Sequence, residues 1–144
     1  MKRAVCVAAG MMLALSAQAE QIVPSRYEFD KPEILAHQLV WGIVHGVRLL
    51  GMACHRRGDQ AAALAYADWL DDQWPRILAA ERDLSRHYFG REQAPLEAID
   101  QALKLKPALD QPDEELGDAC ATLPAALTPP RYDLEIFYQE NSRP

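Results

Sequence analysis

The stretch Gly51-Met52-Ala53-Cys54-His55 sets a thiol beside an imidazole, an adjacency also found in covalent haem sites. Such a site needs Cys-x-x-Cys-His, with two thiols for the thioethers and the histidine for iron. Gly51 stands where the first cysteine would be, so covalent haem attachment is excluded. A non-covalent haem could still be held in a helical bundle by a His/Met or His/His pair. His45 interrupts an apolar segment, and Met52 falls on nearly the same helical face two turns later. His45 and Met52 are therefore the candidate ligand-binding residues for a haem- or metal-carrying bundle. A histidine hydrogen-bonded within the core is the plainer account of His45.

Other chemistry finds less support. The histidines are His37, His45, His55 and His87. His37 and His45 would lie about 12 Å apart along a helix, too far to share one ion. Glu33/His37 and Asp83/His87 have the i, i+4 spacing that suits a metal, but that spacing suits surface ion pairs equally. No His-Glu-x-x-His occurs, so no metal ligands are assigned. The only serines beyond the N-terminal region are Ser25, Ser85 and Ser142, none in a Gly-x-Ser-x-Gly turn. Asp71 and Asp72 are adjacent, so on a helix they diverge by about 100°. With no Gly-rich phosphate loop either, no catalytic residue is assigned and an enzyme is not expected.

Two charges fall where apolar residues would be expected. Arg48 lies in the most apolar segment, and Glu81 interrupts the apolar stripe of the next. A buried charge needs a partner, which makes Arg48 and Glu81 a candidate interhelical ion pair. The aromatic residues are numerous for a small helical chain, among them Trp41, Trp69, Trp74, Tyr88, Phe89, Tyr132, Phe137 and Tyr138. Trp69 and Trp74 cannot share a helical face, because five residues leave their side chains about 140° apart. One of them must be exposed or covered by the tail. Trp69, Trp74, Tyr88 and Phe89 are the candidate interaction residues, since exposed aromatics near acids can anchor a basic partner.

The elements that must position these residues read as helices. Asp30, Lys31, Pro32 and Glu33 resemble a helix start with a capping acid. Leu35, Leu39, Ile43, Val47, Leu50 and Cys54 recur at three- and four-residue spacing as far as a stop at Gly58. Gly42 and Gly46 share one face there, which would permit a neighbouring helix to approach closely. Asp59 caps a second long helix with a stripe of Ala63, Ala67, Leu70, Trp74, Ile77, Leu84 and Tyr88, kinked or restarted near Trp74 by Pro75 and closed by Gly90. A third, shorter helix runs from near Pro95 towards Pro107, and a fourth from near Pro112 to Leu123, ahead of Pro124. Residues 131–140 fit either a strand or a helix, and with no other strand to pair with, a docked C-terminal helix is expected.

Residues 44–77 resemble one tetratricopeptide unit, through Leu50-Gly51, Gly58-Asp59, Ala63 and Pro75. Val47, Cys54 and Ala67 depart from its aromatic positions, both helices overrun it, and no second copy follows at a 34-residue period. An antiparallel helix hairpin with a Gly-Asp turn accounts for the same residues. The fold class predicted is all-α: a bundle of two long antiparallel helices with two or three shorter ones and one disulfide.

The N-terminus fixes the expected compartment. Lys2 and Arg3 precede an apolar run from Ala4 to Leu15, and Ala17-Gln18-Ala19 is a cleavage pattern. Residues 1–19 are read as a signal peptide, too short to span a membrane and without a twin arginine. Residues 20–144 then form a single helical domain with an exposed lead-in at 20–31, periplasmic or secreted after cleavage near Ala19. Cleavage leaves 13 basic against 21 acidic residues, a net charge of −8. That balance argues against nucleic acid and against anionic membrane surfaces, and membrane insertion of the mature chain is not expected. Only Cys54 and Cys120 remain, 66 positions apart, and an oxidising compartment would join them. The sequence thus predicts an exported, acidic, non-catalytic protein with no cofactor, acting on another exported or envelope protein. An inhibitor or immunity-type protein, a secretion accessory protein and a periplasmic chaperone all fit.

Overall fold

The computed structural model describes residues 27–128 and 132–144. The expected signal peptide and residues 20–26 of the lead-in lie outside them. Among the described residues the chain is all-helical, with no strand: α1 (Pro32–Arg56), α2 (Gln60–Phe89), α3 (Leu96–Ala102), α4 (Asp113–Ala126) and α5 (Leu134–Asn141). A disulfide joins Cys54 to Cys120 with their Cα atoms 5.5 Å apart, tying α4 to the end of α1. Both cysteines are buried.

Local chemistry explains most helix ends. Gly58 takes φ +79°, its N–H donates to the His55 carbonyl, and the Asp59 N–H donates to the Cys54 carbonyl. These two bonds satisfy orphan carbonyls of α1 in the arrangement a left-handed glycine allows. Asp59 then caps α2 by accepting from the Ala62 N–H at 3.0 Å. At the start of α1 the expected cap is corrected: Lys31, not Asp30, is the N-cap, and no side chain bonds the first turn. Pro32, first in the helix, needs no donor partner there. Lys104 ends α3 at φ 53°, a left-handed position usually given to glycine.

Neither internal proline breaks its helix. α2 runs unbroken through Pro75 and α4 runs through Pro124 to Ala126, past the expected stop. Pro75 and Asp71, whose carbonyl loses its donor, both lie on an exposed face where water can serve instead. Pro124 sits in the last turn of α4, where only one bond is forfeited. The tail is helical, with Asp133 accepting from the Glu135 and Ile136 N–H groups.

α1 packs chiefly on α2 around Val40, Trp41, Val44, Trp69, Ile77 and Leu84. By length and composition α1 could cross a membrane, but half of its apolar stretch is buried inside this fold. Close approach of helices does use a glycine of α1, though not the expected pair. A Cβ on Gly51 would fall 2.4 Å from Cγ of Tyr66, whereas one on Gly42 or Gly46 would meet nothing within 4 Å. Gly42 and Gly46 instead line an apolar groove of about 660 Å³ between α1 and α4.

Candidate functional site

α2 carries two apolar stripes, and the residues expected on one inner stripe divide between them. Ala62, Trp69, Gln73, Ile77, Ala80 and Leu84 face inward. Of the stripe expected inside, Ile77 and Leu84 are buried, Ala63, Leu70 and Tyr88 are half-buried, and Ala67 and Trp74 are exposed. Periodicity reveals that a helix has an apolar face, but with two such faces it cannot say which one the neighbours cover. Trp69 is 4 % exposed and its Nε1–H donates to the Tyr132 carbonyl at 2.9 Å, so it supports the chain entering α5. Trp74 is 46 % exposed.

The outward stripe consists of Leu64, Ala67, Asp71, Trp74 and Leu78, all exposed. Their spacings of three, four, three and four are those of a coiled-coil seam. Asp68 flanks the stripe and Glu81 continues it. Asp68, Asp71 and Glu81 have no ion-pair partner among the described residues. An apolar seam with one polar position and unpaired acids is unusual on a face that only meets water. The two other candidate aromatics lie apart from it at the helix end. Tyr88 is half-buried and accepts from Gln38 Nε2 at 2.6 Å, while Phe89 is exposed with the Arg91 guanidinium 6.0 Å from its ring.

The expected Arg48–Glu81 ion pair is overturned. Arg48 Nη2 donates to Asp100 Oδ2 at 2.6 Å and to His45 Nδ1 at 2.9 Å. Glu81 is half-buried beside Leu78, Arg82, Glu92 and Gln93 in a shallow cleft. The physical reason is α3, which brings Asp100 to the side of α1 where Arg48 and Trp41 emerge; Trp41 Nε1 donates to the other oxygen of Asp100 at 2.8 Å. Nothing near Asp100 in the sequence signals this role.

His45 loses the part of an axial ligand for the same reason. Arg48 can only donate, so Nδ1 of His45 accepts, and Nε2 carries the proton that it donates to the Lys106 carbonyl at 2.6 Å. Both ring nitrogens are thereby engaged, and Met52 is 47 % exposed. Among the described residues no three His, Cys, Asp or Glu side chains converge on a point that could hold a metal.

A second polar cluster, partly buried, gathers His37, Asp83, His87 and Glu28. His37 and His87 do not pair with the acids four residues before them. His37 Nε2 lies 3.0 Å from Asp83 Oδ2 across the α1–α2 interface, and His87 Nε2 lies 3.1 Å from Glu28 Oε1. The missed signal is that both acid–histidine pairs fall at matching heights on two neighbouring helices. Burial holds His37 below its ordinary pKa of 6.5, outweighing the opposing pull of Asp83.

No protein-family model matches the chain, and comparison with curated proteins and with solved structures gave no match either.

Proposed function

We propose that this chain is an exported, non-catalytic helical protein that binds a helix of another exported or envelope protein along the outward face of α2. Its two long helices pack antiparallel as the frame of a bundle, and α3, α4 and α5 brace that frame. The observation that carries the proposal is the exposed Leu64–Ala67–Asp71–Trp74–Leu78 seam with its unpaired acids. A partner helix would set apolar side chains against Leu64, Trp74 and Leu78 and a lysine or arginine against Asp71. Trp74 is the anchor, since tryptophans dominate binding energy where they become fully desolvated. Asp71 fixes the register, as a polar group in a seam does at some cost in affinity. The acids speed encounter with a basic partner and make it salt-dependent. Inhibitor or immunity-type, secretion accessory and chaperone roles all use such a surface. The buried disulfide favours export, because reducing compartments disfavour such bonds.

A photo-crosslinking residue at position 67, which leaves Trp74 in the seam, tests this in cells exporting the full chain. One discrete adduct with a second protein is expected, weakened by Asp71→Lys and absent when the probe replaces exposed Arg91. No adduct at 67, or equal yields at 67 and 91, would reject the proposal.

A further inference from the structure

His37 is 3 % exposed, and its Nδ1 is buried without a hydrogen-bond partner. With Nε2–H directed at Asp83, the neutral ring leaves only a bare lone pair at Nδ1. Protonation would leave a charged N–H there with no acceptor, a much costlier defect. The imidazole lies against the ring of Tyr138 on α5, with centroids 4.6 Å apart. The Arg76 guanidinium sits 4.0 Å from the same ring and pairs with Glu135. A bond of 2.7 Å from the Leu134 N–H to Gln73 Oε1 completes the seat of α5.

We propose that His37 is an acid-sensitive latch for α5, whose protonation releases Leu134–Asn141 from α1 and α2. Groups face the imidazole from each packed element: Glu33 from α1, Asp83 and Arg76 from α2, and Tyr138 from α5. Glu33 and Asp83 favour the imidazolium, and Arg76 and burial oppose it. Burial is the largest influence, so the docked state holds the neutral ring. Arg86 and His87 line the same cleft of about 420 Å³ beside His37, Asp83 and Tyr138. The path of relief runs through α5. Eight residues cannot keep a helix alone in water, where about 12–15 are marginal, whereas α1 and α2 are long and mutually packed.

The sign follows from proton linkage. Above pH 6.5 the docked form keeps its full advantage. As pH falls from 6.5 towards the lowered value of the docked state, the released state binds the proton that the docked state refuses. The released population then grows by up to about tenfold per pH unit.

Amide hydrogen exchange on the full chain at pH 7.5, 6.5 and 5.5, corrected for intrinsic rates, tests the latch. Protection across 136–141 should fall by up to about tenfold per unit below pH 6.5, with α1 and α2 changing far less. His37→Phe keeps a ring against Tyr138 and should make the profile flat. His37→Gln, which keeps a donor for Asp83, should do the same if the Phe variant folds poorly. His87→Gln should retain the wild-type response. A wild-type profile independent of pH, a slope that survives in both His37 variants, or one abolished by His87→Gln would overturn the latch.

Discussion

Trp69 and Trp74 sit five residues apart on α2 and share no surroundings. Trp69 is enclosed, bonded to the Tyr132 carbonyl, and surrounded by the residues that join α2 to α5. Trp74 stands in solvent between Asp71 and Leu78 on a stripe that no other element covers among the described residues. One helix thus carries two apolar faces, the first spent on folding and the second left unpartnered. Losing a side chain from the first should be felt as stability, and from the second as binding.

The sharpest division comes from truncating the inner tryptophan. Trp69→Ala should cost about 3–5 kcal/mol, the usual range for a large buried aromatic, read from chemical denaturation midpoints. A loss below about 1 kcal/mol would mean the inner face is not what holds α2. Removing the disulfide by a Cys54→Ser/Cys120→Ser double substitution should cost about 2–5 kcal/mol. Unchanged stability on reduction of the wild type would show that α4 needs no staple.

Smaller effects separate the glycines of α1 on the same logic. Gly51→Ala should destabilise by about 1–3 kcal/mol, because the new methyl group meets the body of the Tyr66 ring. Gly46→Ala, facing open space, should stabilise by up to about 1 kcal/mol through helix propensity. Equal responses at the two sites would erase the distinction between a packed and an open glycine. Trp74→Ala should leave the unfolding midpoint within about 0.5 kcal/mol of wild type, as for other surface changes away from special features.

Features governed by neighbours in the chain were legible in the sequence. Gly58, Asp59 and Gly90 mark helix ends because backbone conformation and capping need only a few adjacent residues. The Cys54–Cys120 pairing was legible by elimination, given the expected loss of Cys6. What escaped depends on which elements meet. Glu81 and Asp100 were equally available carboxylates for Arg48, and only the placement of α3 selects Asp100. Gly42 and Gly46 offered the same small-residue signal as Gly51, but the Tyr66 ring approaches only the last. That one of Trp69 and Trp74 must leave the core follows from their spacing, but only the elements packed on α2 decide that it is Trp74. His37 looked like half of a surface pair until Asp83 was brought across from α2.

Binding along the outward face of α2 is tested most directly by a titration. With the partner captured at position 67 purified, its affinity is measured for wild type and for Trp74→Ala at fixed salt. A hot-spot tryptophan predicts a Kd raised by about 30-fold or more, the equivalent of 2 kcal/mol, with an unchanged unfolding midpoint. A Kd within about twofold of wild type, or a loss of binding matched by a loss of stability, would contradict it.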